Sequence, residues 1–231
     1  MKEVILFSGG IDSTTCAALA VERSGADNVL AISFNYGQRH KRELDSAQKI
    51  AKRLGVEFRL LDLSPIFALS SCPLIGTSRK EVPHGTFMEL RRAGEPSIDT
   101  FVPFRNGLFL AAAASFSMCK FPGEKIGLWI GVTAEGAVEG IHPDTSPTFI
   151  DFADAALRSG TGGLVSLVSP FASMTKSDIV KEGLRLGIPF ELTWTCYEGG
   201  PRPCGKCSTC LSREKAFKAN GMTDPALEEV E

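Results

Sequence analysis

The chain has 231 residues, 43% of them hydrophobic and 23% charged, with a formal net charge of −2. This suits one well-cored globular body with at most a small appended module, and it carries no bulk electrostatic attraction for nucleic acid. The most apolar later stretch, Gly107 to Met118, is shorter than the about 20 residues a bilayer helix needs, and the first residues lead into a glycine turn instead of a signal peptide, so the expectation is a cytoplasmic protein with no membrane or direct nucleic-acid partner.

In chain order, Val4–Phe7 is a short apolar run ending at Ser8-Gly9-Gly10 and reads as a buried strand. Asp12 or Ser13 is expected to cap the following helix, which Gly25 ends. Val29–Phe34 is a second strand, Glu43–Leu54 has a helical apolar period stopped by Gly55, and Val56–Leu61 is a third strand. Strands and helices alternating at this spacing predict a parallel α/β sheet. From Asp62 to Val102 prolines and glycines break the pattern, as is usual for functional or mobile segments. Arg105–Lys120 predicts a helix and Ile126–Val132 a strand. Gly136–Gly163 is ambiguous, with a helix over Phe149–Leu157. Leu164–Ser169 is a candidate strand, and Thr175 or Ser177 begins a helix running to Leu186. Residues 1–190 are expected to form an α/β domain, and 191–231 a cysteine-built tail.

Ligands of open α/β sheets sit beyond the carboxyl ends of the strands, where Ser8-Gly9-Gly10-Ile11-Asp12-Ser13-Thr14 lies. Two glycines allow a tight turn and close approach. The helix start offers unpaired N–H groups and a positive dipole end, and Ser8, Ser13 and Thr14 add hydroxyls. This is an anion site suited to phosphate, although the chain has neither a Walker-type Gly-Lys-Ser/Thr nor a G-x-G-x-x-G pattern. A plain strand-to-helix turn is the alternative.

Of seven cysteines, Cys16, Cys72 and Cys119 are scattered, whereas Cys196, Cys204, Cys207 and Cys210 are clustered with C-x7-C-x2-C-x2-C spacing. Four thiolates can close a structural zinc site. An iron–sulfur cluster is the rival ligand set, and a nucleic-acid-binding ribbon a rival role, although few basic and aromatic residues surround the cluster.

Ser8-Gly9-Gly10-Ile11-Asp12-Ser13 resembles the S-G-G-x-D-S motif of the PP-loop ATP pyrophosphatases (adenine nucleotide α-hydrolase-like), which cleave ATP between the α and β phosphates. Further stretches resemble the QueC family. They are Ser13-Thr14-Thr15-Cys16, Asn35-Tyr36-Gly37-Gln38-Arg39-His40, Phe101-Val102-Pro103-Phe104-Arg105-Asn106, Thr195-Cys196-Tyr197 and Cys204 through Arg213. The resemblance implies a PP-loop domain with a zinc-binding tail, and a homodimer. It also implies ATP and Mg²⁺-dependent adenylation of 7-carboxy-7-deazaguanine, amidation by ammonia and dehydration to the nitrile. It favours zinc at the four cysteines. Ser8, Gly9, Gly10, Asp12, Ser13 and Thr14 would bind ATP. Asp12, Arg105 and Lys176 would serve catalysis. Tyr36, Gln38, Arg39, Asn106 and Asp144 would hold substrate. Arg39 could grip phosphate or carboxylate through its fork, His40 could be a base or a helix cap, Arg105 and Asn106 could be a surface helix cap, and Lys176 could neutralise charge on ATP or sit solvated on a helix.

The family pattern G-Y-P-D-C-R reads Gly140-Ile141-His142-Pro143-Asp144-Thr145-Ser146 here, so an aromatic and a cation are missing together. Glu135 and Glu139 are candidates for the acidic residue usual upstream. Three readings follow: a nitrile-forming enzyme; a relative that stops at an activated or amidated deazapurine or couples the acid to another amine, including one on a protein partner in an anti-phage system; and a non-catalytic nucleotide-binding module with a zinc ribbon.

Overall fold

The computed structural model describes residues 1–138 and 141–227; Glu139 and Gly140 lie outside them. Strands β1 (Lys2–Leu6), β2 (Val29–Asn35), β3 (Glu57–Asp62), β4 (Ile126–Trp129) and β5 (Val165–Val168) form a five-stranded sheet of order β3-β2-β1-β4-β5. Every pairing is parallel. The helices are α1 (Ile11–Ser24), α2 (Arg42–Leu54), α3 (Ser64–Phe67), α4 (Phe87–Leu90), α5 (Arg105–Lys120), α6 (Pro147–Gly160), α7 (Lys176–Leu186) and α8 (Ser208–Ala219). The predicted α/β class is therefore found.

Alternating side chains of β1 divide the core. Ile5 and Phe7 pack with α1, α2, α7 and α8, while Val4 and Leu6 pack with α5 and α6 on the opposite face. Both faces are covered, which is why the central strands read as continuous apolar runs. Strand β3 is one of the two edges: Leu60 is half exposed, and the strand begins one residue later than expected. Helix α6 is longer than its apolar period predicts. Ser146 caps it by accepting from Phe149 N at 3.2 Å, and Pro147 at the first position is already set to a helical φ.

The start of α1 corrects the sequence reading. Neither Asp12 nor Ser13 caps it; Gly10 is the N-cap and contributes no side-chain bond. Asp12 is thereby freed to point away from its own helix. Helix α7 does start as expected, with Thr175 accepting from Asp178 N and Asp178 answering to Thr175 N.

Chain reversal places the switch point between β1 and β4, because β2 and β3 are laid to one side of β1, and β4 and β5 to the other. The two exits are close: a Cβ on Gly131, after β4, would meet Asp12 Cβ at 3.0 Å. The tail is part of this body, since Ala216 and Phe217 of α8 are core residues. Arg213 secures it. Its Nε and Nη2 donate to Asp224 at 2.7 and 2.8 Å, Nη1 to Thr193 Oγ1 at 2.7 Å and Nη2 to Phe190 O at 3.1 Å.

Candidate active site

The glycine turn is held from within. Ser8 N donates to Ser13 Oγ at 3.2 Å, Gly10 N to Ser8 Oγ at 3.3 Å and Ser13 Oγ to Gly10 O at 3.2 Å. Thr14 N makes the first helix bond, to Gly10 O, so the preceding first-turn N–H groups have no intrahelical acceptor. Gly9 has φ +78°, and a Cβ there would meet Ala47 N and Glu43 O, both at 2.6 Å. These are backbone atoms of α2 and cannot rotate away. Gly9→Ala is therefore expected to displace the loop from α2 and weaken binding of a non-hydrolysable ATP analogue at least about tenfold. Titration calorimetry would check this, and unchanged affinity would count against the loop as the phosphate cradle.

Beyond the carboxyl ends of β1, β2 and β4 lies a cavity of about 290 Å³. Ser8, Gly10, Asp12 and Ser13 line it from the loop, Tyr36 from the end of β2, Arg105 and Asn106 from the start of α5, and Lys176 from the start of α7. Lys176 Nζ is 2.5 Å from Asp12 Oδ2. Asp12 Oδ1 is buried and has no hydrogen-bond partner. Arg105 lies 5.4 Å from the Tyr36 ring centre, and its Nη1 donates to Tyr36 Oη at 3.5 Å. Burial opposes the Arg105 charge, but Tyr36, Tyr197, Asp144 and Glu43 outweigh it and keep the group firmly cationic. The residue before it, Phe104, has φ +49°. For a bulky side chain that conformation costs about 1–3 kcal/mol, and here it turns the chain into α5 beside the cavity.

Several expected site residues do not line the cavity. Gly9 packs under the loop, and Thr14 is buried with Oγ1 unpartnered. Arg39 corrects the expectation of a substrate-gripping fork: it donates to the carbonyls of Pro73 (3.0 Å), Ser78 (3.5 Å) and Lys80 (2.5 Å), organising the irregular segment after β3. Gln38 likewise serves the local turn, accepting from Tyr36 N and donating to Phe34 O and Glu43 Oε1. Asp144 sits behind the wall, accepting from Asn106 N at 2.9 Å while its carbonyl accepts from Asn106 Nδ2. Its carboxylate thereby caps the first turn of α5. His40 packs edge-on to Trp194, and burial lowers its basicity.

The structure adds residues that periodicity could not single out. Glu43 lines the cavity, as do Trp194, Thr195 and Tyr197. Trp194 N donates to Gly9 O at 2.9 Å, tying the tail to the loop. Ser212 Oγ donates to Glu135 Oε2 at 2.8 Å, tying α8 to the segment after β4. Glu135 Oε1 also accepts from Lys176 N at 3.5 Å. In the sequence this stretch was marked by Thr195-Cys196-Tyr197, which resembles the QueC family, and not by any periodicity.

His142 lines the cavity beside Phe87, with ring centres 5.7 Å apart at 78°. Burial, and then Arg105, push it down to about 4 from the usual 6.5. An unfolded chain takes up this proton first, so His142 makes stability fall as pH drops from 6.5 towards 4, by up to about 3 kcal/mol. Glu43 and Asp144, raised by burial, act in the opposite sense. His142→Phe is expected to flatten the acid limb, measured by urea unfolding at stepped pH. An unchanged limb would show that the imidazole is not held neutral.

The sulfurs of Cys196, Cys204, Cys207 and Cys210 all lie within 4.8 Å of one another. A tetrahedral Zn–S shell needs S···S separations of about 3.8 Å, and Cys204 and Cys210 are at 3.9 Å. Cys204 N donates to Cys196 Sγ, and Lys206 N and Cys207 N donate to Cys204 Sγ; such bonds favour thiolate. Gly205, at φ +68°, makes the turn between them. The cluster can therefore hold a metal ion.

A family model described as "Queuosine biosynthesis protein QueC" matches residues 2–221. The chain belongs to the QueC family. A 7-cyano-7-deazaguanine synthase of Archaeoglobus fulgidus is 41% identical, covering 100% of this chain and 92% of the relative. One of Marinobacter nauticus is 38% identical, covering 96% and 95%. Among solved structures, NMN synthetase from Francisella tularensis is similar with a TM-score of 0.49 at 15% identity, covering 96% of this chain and 78% of that one. The NH3-dependent NAD synthetase of Campylobacter jejuni has a TM-score of 0.47 at 18% identity, covering 84% and 69%. This QueC-family enzyme has a parallel five-stranded α/β fold, its family membership implies ATP use, and its cysteine cluster is able to bind metal. Among the described residues, no helix is long and apolar enough to cross a membrane.

Proposed function

We propose that the chain converts 7-carboxy-7-deazaguanine to 7-cyano-7-deazaguanine with ATP and ammonia. The observation that carries this reading is the convergence of the glycine loop, Lys176 and Arg105 on one cavity at the sheet's switch point, in a QueC-family chain. A carboxylate is a poor acyl donor because oxide is a poor leaving group. Its oxygen attacks the α phosphorus of ATP, pyrophosphate leaves, and the acyl adenylate now carries AMP as leaving group. Ammonia displaces AMP to give the amide. A second ATP adenylates the amide oxygen, and loss of AMP and the nitrogen's protons leaves the nitrile. The loop N–H groups hold the phosphates, Lys176 offsets charge growing on them, and Arg105 attracts the carboxylate end of the acid. Tyr36 supplies a flat wall and Asn106, fixed by Asp144, a polar contact.

The unpartnered, buried Oδ1 of Asp12, on a cavity-lining side chain, suits a hard cation such as Mg²⁺. When bound, Mg²⁺ would neutralise phosphate charge. Cys196, Cys204, Cys207 and Cys210 would hold Zn²⁺ as a structural pin for the 191–231 tail, keeping Trp194, Thr195 and Tyr197 on the wall of the ATP-binding body formed by residues 1–190. The expected content is one zinc per chain by elemental analysis. Stripping it with a strong chelator is expected to weaken ATP binding and lower Tm together, because the tail carries one wall of the cavity; iron in its place would overturn the assignment.

Incubation with ATP, Mg²⁺, the acid and ammonium is expected to yield the nitrile by mass spectrometry, with AMP and pyrophosphate. Release of AMP and pyrophosphate would eliminate a non-catalytic nucleotide-binding role. His142 on the cavity wall, where the family pattern has tyrosine, favours one second reading: coupling of the activated acid to another amine, which the adenylate or amide as sole product would support. The reading includes a cytoplasmic homodimer, tested by light scattering of the purified chain.

A further inference from the structure

We propose that Glu43 is the proton acceptor for the attacking nitrogen, binding ammonium in the cavity and releasing it as ammonia. This rests on the synthase reading above and adds a role for a residue that reading does not use. Near neutral pH ammonia is mostly ammonium, which has no lone pair, and the cavity already holds the cationic groups of Lys176 and Arg105. A cationic nitrogen source needs a carboxylate with an oxygen to spare.

Three carboxylates line the cavity among the described residues: Asp12, Glu43 and Glu135. Asp12 is paired through Oδ2 with the Lys176 ammonium, and its unpartnered Oδ1 is the oxygen assigned above to Mg²⁺. Both oxygens of Glu135 are engaged, one by Ser212 Oγ and the other by Lys176 N. Glu43 differs. Gln38 Nε2 holds its Oε1 at 3.0 Å with an uncharged donor, and Gln38 is itself fixed by Tyr36 N and Phe34 O. The carboxylate is thus oriented without being neutralised in an ion pair with a neighbouring lysine. The charged or titratable groups that bear on it are Arg105 from α5, Tyr36 from β2 and Tyr197 from the tail. Burial raises its affinity for a proton, with Arg105, Gln38 and Tyr36 opposing. That moves it towards the operating pH, where a general base works best. Its backbone lies directly under the glycine loop, as the 2.6 Å approach to a Gly9 Cβ shows, so the base and the phosphate cradle are built on adjacent turns.

The step balances as follows. One proton passes from ammonium to the Glu43 carboxylate, leaving neutral ammonia. Its lone pair forms the N–C bond at the acyl carbon, the C–O bond to AMP breaks, and AMP leaves with that electron pair. The surplus proton on the new amide nitrogen goes to the departing phosphate, and Glu43 returns its proton to solvent.

The isosteric Glu43→Gln variant tests this in three measurements. Acid-dependent exchange of pyrophosphate into ATP, which needs no amine, is expected to stay within about threefold of wild type, whereas amide formation from ammonium falls on the order of a hundredfold. Hydroxylamine, a weaker base already neutral near pH 7, is expected to give hydroxamate at a rate within about threefold of wild type, because it needs no proton removed before attack. Unchanged turnover with ammonium overturns the proposal. So does a parallel loss of exchange, which would make Glu43 a support for adenylation. Absence of exchange in the wild-type chain would instead overturn the synthase reading, and the Glu43 role with it.

Discussion

Replacing Lys176 by methionine is expected to lower kcat/KM for acid-dependent pyrophosphate exchange by about 10²–10³, equivalent to about 3–4 kcal/mol of transition-state stabilisation. Methionine keeps the length and much of the apolar stem, so packing changes little. What is lost is a fixed positive charge on the wall shared with the glycine loop. That charge is preorganised. Thr175 caps α7 and places Lys176 at its first position, Glu135 holds its backbone N–H, and Asp12 draws its ammonium inward. Lys176→Arg should recover little, because a planar fork does not replace a compact point charge in a confined site. The double variant Asp12→Asn with Lys176→Met separates two roles. If Lys176 acted only by neutralising Asp12, the pair would restore much of the lost rate. If it acts on ATP, the double variant stays as slow as the single or slower. A single variant within about threefold of wild type would exclude any part in phosphate chemistry.

Arg213→Ala is expected to produce the largest loss of stability, about 3–5 kcal/mol, with a fall in Tm on the order of 10 °C. The side chains of Arg213 and Asp224 are only 3% and 5% exposed. Truncation strands a buried carboxylate and removes donors from Thr193 and Phe190, which costs far more than the pair itself contributes. Arg213 also reaches the cavity wall, and Thr193 immediately precedes Trp194, which is tied to Gly9. ATP affinity should therefore fall with stability. Removing both charges, as Arg213→Met with Asp224→Leu, should regain part of the loss, measured by urea denaturation. A loss below about 1 kcal/mol in the single variant would mean that the two groups are solvated in solution.

Much of the architecture was written in local patterns. The Arg105–Lys120 helix, the Thr175 cap, and Gly25 and Gly55 as helix stops follow from side-chain period and from the backbone freedom of glycine. The four cysteines were legible because metal-ligand spacing is a local property. Long-range partners decided the rest. Arg39 and Tyr36 are three residues apart after the same strand, yet Tyr36 faces the cavity and Arg39 turns to carbonyls of Pro73 to Lys80. A cation at the end of a strand looks the same in sequence whether its fork meets a ligand or a loop. Asp144 was recognisable as a motif residue but serves as the partner of Asn106, 38 positions earlier. Glu43 carried no signal beyond an acid in the first turn of a helix, which usually means only a favourable dipole contact.

The glycine turn divides along the same line. By itself the sequence determined that Ser8 to Ser13 leaves a strand, turns tightly and opens a helix with unpaired N–H groups, because those features depend on neighbouring residues. It also determined that four thiols would gather near the end. Only the tertiary structure decided what faces that turn: Lys176, 164 residues from Asp12, and a wall built by the cysteine-bearing tail. The physical reason is that charge pairing and desolvation depend on distance in space, which the parallel crossovers of the sheet set and no local spacing records.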